Sequence, residues 1–255
     1  TIDGSLNWRG NTHVASSDTA SFDFTGNATV SWVSGALVGG GTLANNSTIN
    51  LLNGNVFIYD MSLLLNNSLI QFTGTGDIYI DTDAELRNNA SGLIDFQTNG
   101  SGITPTGSGI NLFYNQGLVK NTSGGNVSIS TETENSGTIE ATSGVLSIST
   151  SLDNQIGGIL SGVGTINLPS ATNLTNNGNV SPGLSPGTLT LDGDYLSTSN
   201  SILEIELNGL IPDTEHDVLD ILGTNVILEG NVGITLGFQP SIGDTFTIAT
   251  VSGTI

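Results

Sequence analysis

Cysteine, basic residues and long apolar runs are absent or nearly absent from this chain of 255 residues. The lack of cysteine excludes disulfides, thiolate metal sites and a cysteine nucleophile. The only basic side chains are Arg9, Arg87 and Lys120, against 23 acidic residues, so the formal net charge is -20. Nucleic acids and anionic lipids are bound through clusters of Lys and Arg, so the composition predicts neither as a partner. No run of about 18 apolar residues occurs, which predicts no membrane insertion of this segment.

Most polar residues of the chain are neutral. Charged residues make up 10% of the chain, compared with about 25% in a typical soluble domain. Glycine accounts for 35 residues, and Asn, Ser and Thr fill most of the other polar positions. The hydrophobic fraction of 36%, rich in regularly placed Val, Ile and Leu, indicates a folded chain and not a disordered one.

A repeat of about 21 residues organises the chain. Aligning the Asn-rich turns gives spacings of 21, 22, 26, 20, 19 and 23 residues between Asn46, Asn67, Asn89, Asn115, Asn135, Asn154 and Asn177. The segments between these turns are short, rich in β-branched residues and alternate with period two, as strands do. We therefore predict an all-β, right-handed parallel β-helix (solenoid) with about 21 residues per coil. An all-β sandwich is the alternative fold, because it too has closely spaced turns.

Asparagine and glycine have two expected uses in such coils. Each corner needs a residue that tolerates positive φ, and Asn or Gly does so at least cost. Stacked asparagines at one corner can also hydrogen-bond along the axis as an amide ladder.

The repeat changes near Ser181, where two Pro-Gly pairs precede longer alternating segments. We predict a solenoid over residues 1–187 and a C-terminal β module over 188–255 that continues or caps it. A cap would cover the strand edges that the last coil leaves unpaired.

Two stretches resemble a known family. Residues 32–49, WVSGALVGGGTLANNSTI, are similar to the repeats of bacterial β-helical surface and passenger proteins, which include autotransporter-type and filamentous-haemagglutinin-like adhesins and Asn/Gly-rich Bacteroidetes repeat proteins. Residues 181–193, SPGLSPGTLTLDG, followed by 216–223, HDVLDILG, resemble the ending of those proteins, although His216 stands where Tyr is common. The resemblance implies an extracellular or cell-surface bacterial β-solenoid, and it implies no catalytic residues.

Two acidic clusters are the candidate metal sites. If the chain is extended there, Asp81, Asp83 and Glu85 project from one face, and calcium is the natural bridge for such carboxylates. A second cluster comprises Asp213, Glu215 and Asp217. For both clusters the alternative is an ordinary acidic surface.

Nothing in the sequence makes a convincing catalytic group. Ser185 lies in a G-x-S-x-G string, but strand-like residues follow it where a nucleophile elbow needs a helix, so we predict a turn. His216 is expected to be a solvated turn histidine and not a catalytic base.

We therefore predict a structural or adhesive module and not an enzyme. Its expected partners are a host or cell-surface glycan or protein, or copies of itself. One alternative is a carbohydrate-active (glycosidase or lyase-like) or glycan-binding β-helix. A concave surface with two or more carboxylates beside an aromatic ring would favour it. The other alternative is a calcium-stabilised, self-assembling surface-layer or filament subunit.

Overall fold

The computed structural model describes residues 5–22, 29–170 and 174–252. Residues 1–4, 23–28 and 171–173 of the predicted solenoid, and 253–255 of the predicted terminal module, lie outside these ranges. The described residues form a parallel β-solenoid of about nine turns, with roughly 22 residues per turn and no helix. The predicted β-solenoid and its period are thus confirmed, whereas the right-handed sense stays a prediction.

Three parallel sheets form the sides of the solenoid, with strands numbered in chain order. The first sheet contains β1 (Ser5–Trp8), β4 (Thr29–Trp32), β7 (Thr48–Leu51), β10 (Leu69–Phe72), β13 (Leu93–Phe96), β16 (Leu118–Asn121), β19 (Thr138–Ala141), β22 (Ile159–Gly162), β25 (Asn179–Pro182), β28 (Ile202–Leu207) and β31 (Asn231–Leu236).

The second sheet contains β2 (Thr12–His13), β5 (Gly35–Val38), β8 (Val56–Ile58), β11 (Ile78–Asp81), β14 (Gly102–Thr106), β17 (Asn126–Ile129), β20 (Val145–Ile148), β23 (Thr165–Asn167), β26 (Thr188–Asp192), β29 (Val218–Ile221) and β32 (Ala249–Val251).

The third sheet contains β3 (Thr19–Phe22), β6 (Thr42–Asn45), β9 (Leu63–Asn66), β12 (Glu85–Asn88), β15 (Leu112–Asn115), β18 (Glu132–Asn135), β21 (Ser151–Asn154) and β24 (Leu174–Asn176). A two-stranded sheet of β27 (Tyr195–Leu196) and β30 (Val226–Ile227) follows it, joined by a parallel bridge between Asn176 and Ser197.

Apolar columns run along the axis because alternate residues of each strand face inward. In the first sheet Ile49, Ile70, Ile94, Val119 and Ile139 occupy successive register positions and are fully buried. Burying one such side chain contributes about 1.5–3 kcal/mol. The columns therefore join each coil to its neighbours along the rod.

Aromatic side chains stack where two adjacent coils both carry them. The rings of Trp8 and Trp32 lie 3.9 Å apart, and those of Phe72 and Phe96 lie 4.4 Å apart, both nearly parallel. Offset-stacked aromatic pairs add about 0.5–1.5 kcal/mol beyond the burial of their area. These stacks help to fix the register between successive coils.

A row of buried, hydrogen-bonded asparagines, the asparagine ladder, lies at the ends of the third-sheet strands. Each Nδ2 donates to the Oδ1 of the next asparagine at 2.6–2.8 Å, through Asn45, Asn66, Asn88, Asn115, Asn135, Asn154 and Asn176. Asn176 then donates to the phenol oxygen of Tyr195 at 2.7 Å, so a tyrosine ends the ladder. Burial raises the pKa of Tyr195, which keeps this phenol neutral.

In four coils the Asn-rich turns of the sequence were aligned on the residue that follows the ladder asparagine, namely Asn46, Asn67, Asn89 and Asn177. Asn46, Asn67 and Asn89 form a second, outer row of amide bonds, while Asn177 accepts from the hydroxyl of Thr198. Of the two residues expected at positive-φ corners, glycine occupies fifteen such positions among the described residues and asparagine occupies none. Apart from glycine, the positive-φ positions there are Asp60, Met61, Thr82, Asp83, Ser185 and Asp213. The described asparagines therefore contribute through their side-chain amides and not through positive φ.

The parallel pairing continues across the predicted boundary at residue 187. β26 pairs with β23, and β28 pairs with β25, in the same parallel sense as the preceding coils. The last strand of the first sheet, β31, is largely exposed. The C-terminal β module over 188–255, predicted to continue or cap the solenoid, stays a prediction; its strands β26, β28, β29, β31 and β32 extend the first two sheets.

Candidate binding groove on the third sheet

The outer face of the third sheet carries a row of charged, aromatic, apolar and hydroxyl side chains. Residues immediately before successive ladder asparagines point outward and pair in register: Leu65, Arg87, Tyr114, Glu134, Asp153 and Thr175. Neighbouring strands lie about 4.8 Å apart, so these side chains form a continuous row along the axis.

Arg87 contacts both Glu85 and Tyr114 within this row. Its Nε and Nη2 donate to the two carboxylate oxygens of Glu85 at 2.7 and 3.0 Å, and its guanidinium lies 5.7 Å from the ring centre of Tyr114. The hydrogen bonds that Arg87 donates to Glu85 raise the pKa of Arg87. A bidentate pair combined with a cation–π contact orients both the arginine and the tyrosine.

A depression of about 560 Å³ surrounds these groups, lined by Leu65, Glu85, Arg87, Asn89, Leu112, Tyr114, Gln116 and Glu134. Gln116 donates to the Tyr114 hydroxyl at 3.4 Å, and Gln155 donates to Glu134 at 3.1 Å. A second depression of about 310 Å³ shares Leu112 and Glu134 with the first and adds Glu132, Asp153 and Thr175. We call the two depressions together the third-sheet groove.

The groove brings two carboxylates, Glu85 and Glu134, beside the ring of Tyr114. This is the arrangement expected to favour a carbohydrate-contacting β-helix. Sequence reasoning missed it because Glu85, Tyr114 and Glu134 lie on three different coils. The sequence feature that could have located them is their position relative to the ladder asparagine of the same coil. Tyr114 and Glu134 lie one residue before it, and Glu85 lies three residues before it.

The first predicted calcium cluster is not extended. The chain turns at Asp83, which has positive φ, so Asp81 ends the second-sheet strand and Glu85 begins the third-sheet strand. Asp83 Oδ1 accepts the backbone N–H of Ile110 at 2.7 Å, and Glu85 pairs with Arg87. Among residues 5–22, 29–170 and 174–252, no three acidic or histidine side chains are placed to share a metal ion.

Two carboxylates of the second predicted cluster also accept hydrogen bonds from the backbone. Asp217 is buried, and its two oxygens accept backbone N–H groups of Gly187 at 3.0 Å and Glu206 at 2.7 Å. Burial raises the pKa of Asp217, and the two N–H bonds oppose that shift. Glu215 accepts the N–H of Ile211 at 3.0 Å, and Asp213 lies at a positive-φ turn position. Calcium at either cluster stays a prediction of the sequence.

The expectation of a solvated His216 was wrong, because this side chain is fully buried. The turn between β28 and β29 folds back on itself, and Phe246 packs edge-on against the imidazole at 5.5 Å. The ring nitrogens Nδ1 and Nε2 each lie 3.2 Å from a backbone carbonyl, those of Gly209 and Thr247. His216 therefore joins two segments of the last coils. The other histidine, His13, is exposed on β2.

Ser185 lies in a turn, as predicted. Its φ is +98°, and strand β26 follows it. Its hydroxyl donates to Glu206 Oε2 at 3.1 Å, and no histidine accompanies it among the residues that line its 280 Å³ depression.

The fold defines the chain as a parallel β-solenoid, and no described helix is long and apolar enough to cross a membrane. No family model, curated protein or solved structure matches the chain.

Proposed function

We propose that this chain is an extracellular structural or adhesive β-solenoid module of a bacterial surface or secreted protein, acting without catalysis. The observation that carries the proposal is the amide ladder from Asn45 to Tyr195, which runs unbroken beside a continuous apolar core. A scaffold of this kind presents its side faces and holds them at fixed spacing along an axis.

The ladder is a physical source of stiffness. Besides the ladder bond, Asn88 Nδ2 lies 3.2 Å from the carbonyl of Leu118, and Asn115 Nδ2 lies 3.1 Å from that of Thr138. Buried amides with both hydrogens bonded resist local opening, because each opening leaves polar groups without partners. A rod that resists opening also resists proteolysis, which suits a protein exposed outside the cell.

The sequence resemblance supports the bacterial surface assignment. The first resembling stretch, residues 32–49, spans three sides of one coil, and the second, residues 181–193, leads from β25 through the Ser185 turn into β26. The formal charge of -20 makes copies of the chain repel one another at low ionic strength.

The direct test is location and activity in the bacterium that encodes the chain. Antibodies raised against the folded chain should label intact cells or the culture medium, and the purified chain on beads should adhere to cell-surface glycans or proteins without changing them. Labelling only after cell lysis would contradict the proposal, as would release of new sugar ends from any glycan tested.

A second candidate function is carbohydrate binding in the third-sheet groove. The fixed Tyr114 ring offers a stacking surface, and Gln116, Asn89 and Glu134 offer donors and acceptors for hydroxyl groups. Because Arg87 is neutralised by Glu85, the remaining carboxylates make the groove acidic. Neutral or amine-bearing sugars therefore fit it better than uronic acids.

Glycan binding separates this candidate from a plain scaffold. Tyr114→Ala should weaken binding of neutral oligosaccharides about tenfold, the loss expected for one stacking contact of about 1.4 kcal/mol. Tyr79→Ala is the matched control, because Tyr79 is an outward-facing tyrosine on the second sheet. Equal binding by wild type and both variants would contradict glycan binding in the third-sheet groove. Sugar cleavage that is lost in Glu134→Gln would instead favour the enzyme alternative.

A further inference from the structure

We propose that the third-sheet groove binds a glycan that carries amino groups, and that one protonated amine of this glycan occupies a small pocket beside Asn111 and Glu132. The inference rests on the carbohydrate binding proposed above as the second candidate function. It adds the chemical class of the ligand and the subsite that selects it.

The side-chain amide of Asn111 has an unused acceptor. This side chain is 6% exposed and lies immediately before β15. Its Nδ2 donates to the backbone carbonyl of Thr106 at 3.2 Å, whereas its Oδ1 accepts no hydrogen bond from any described residue. Most buried polar side-chain atoms have a partner, so an unpaired one indicates a place for a donor from outside the chain.

A pocket of about 120 Å³ lies beside this amide. It is lined by Pro105, Gly109, Asn111, Thr131, Glu132 and Thr150, and Glu132 is its only charged residue. An ammonium group brings three hydrogens and one positive charge, which an amide oxygen and a single carboxylate can match. Calcium takes about six to eight oxygen ligands, commonly several carboxylates among them, so a pocket with one carboxylate suits an amine better.

The pocket continues into the third-sheet groove. Glu132 lines both the pocket and the second depression, which also holds Glu134 and Asp153. Leu112 pairs with Glu132, and Tyr114 pairs with Glu134, on the neighbouring strands β15 and β18. Strands about 4.8 Å apart, with about 3.3 Å per residue, place the Cα atoms of Tyr114 and Glu132 about 8 Å apart. One glycan can therefore contact the tyrosine and the pocket with adjacent sugar units.

The charge of the groove favours the same ligand. Arg87 is the only basic residue among those that line the two depressions, and Glu85 neutralises it. In the described part of the chain, no basic side chain forms an ion pair with Glu132, Glu134 or Asp153. These carboxylates attract an amine-bearing glycan and repel one that carries uronic acid or sulfate groups.

Paired oligosaccharides that differ only at the amine provide the test. Glucosamine oligomers carry free amino groups, and N-acetylglucosamine oligomers of the same length and linkage carry neutral amides in their place. Isothermal titration calorimetry at about pH 6, where amino groups are protonated, gives the affinity of each oligomer. Salt at about 0.15 M screens the long-range attraction between the amine and the net charge, so the ratio of the two affinities reports on short-range contacts.

The wild-type chain should bind the amine-bearing oligomer about tenfold more tightly, the ratio expected for one charge-assisted hydrogen bond. Glu132→Gln and Asn111→Leu should each abolish most of this preference, whereas Tyr114→Ala should weaken the binding of both oligomers and keep the preference. Glu229→Gln is the matched control and should also keep it, because it removes an exposed carboxylate outside the groove. Glu132 is exposed, so its variant tests the pocket even if thermal unfolding shows Asn111→Leu to be too unstable.

Equal binding of the two oligomers by wild type would overturn the amine pocket but leave carbohydrate binding in the groove intact. Absence of binding for both oligomers would contradict the groove as a glycan site as well. Loss of the preference in Glu229→Gln would assign the effect to net charge and overturn the pocket. A lysine homopeptide of matched length that binds more tightly than the glucosamine oligomer would assign the groove to a protein partner, and this too would overturn the proposal.

Discussion

Removing one amide from the middle of the ladder should destabilise the whole solenoid. Asn115 accepts from Asn88 at 2.8 Å and donates to Asn135 at 2.7 Å, and it is fully buried. Asn115→Ala leaves one N–H of Asn88 and the Oδ1 of Asn135 without these partners. Each buried orphan costs about 1–3 kcal/mol, so the expected loss in the free energy of unfolding is about 4 kcal/mol.

Urea unfolding followed by circular dichroism measures this loss, provided that the slope of the transition is unchanged. Asn200→Ala, at an exposed turn, is the control and should change the free energy of unfolding by less than about 0.5 kcal/mol. A loss for Asn115→Ala no larger than that of the control would show that the ladder bonds of Asn115 do not stabilise the solenoid.

A change of charge at the same position gives a second measure of the ladder. Asn115→Asp keeps the oxygen that accepts from Asn88 but, when ionised, has no hydrogen to donate to Asn135. The protonated form can donate, so the variant should regain stability as the pH falls. A pH-independent deficit would show that the lost bond to Asn135 is not what matters.

Three further perturbations follow from the core and the acidic turns. Phe96→Ala removes one ring of a buried stack and should cost about 3–5 kcal/mol by thermal unfolding, whereas Phe57→Ala, on the outer face of the second sheet, should cost far less. Because burial raises the pKa of Asp217, its protonation favours the folded state, a contribution that is present at low pH and lost as the pH rises through the raised pKa. The advantage of wild type over Asp217→Asn should therefore shrink as the pH rises above about 4, the ordinary pKa of Asp, and an advantage that grows with pH would contradict this sign. Calcium or its chelator should leave the unfolding midpoint unchanged, since Asp83, Glu85 and Asp217 already accept hydrogen bonds from their own chain; a midpoint raised by calcium would restore the calcium hypothesis.

The period and strand pattern were sufficient to predict the solenoid, because stacking forces chemically similar residues to recur once per coil. They were not sufficient to tell which asparagine of each Asn-Asn pair faces inward. A slip of one residue reverses the side of a strand, and the alignment on Asn46, Asn67 and Asn89 made that slip. The burial of Asn45 and its successors becomes apparent only when the neighbouring coils are in place.

The candidate site was harder to predict than the fold. Coil lengths vary from 19 to 27 residues along the ladder, so Arg87, Tyr114 and Glu134 cannot be aligned by a constant spacing. The burial of His216 likewise depends on Phe246, which lies far along the chain. Both features depend on contacts between coils, and local sequence patterns do not specify these.

Hydrogen exchange of the asparagine side-chain amides measures whether the ladder is continuous and closed in solution. Nuclear magnetic resonance resolves each Nδ2 group, and the seven ladder asparagines are buried and bonded to their neighbours. The side-chain amide hydrogens of the ladder asparagines should exchange orders of magnitude more slowly than those of the exposed Asn200. Exchange of the ladder amides at the rate of Asn200 would contradict a continuous, closed ladder and the rigid scaffold inferred from it.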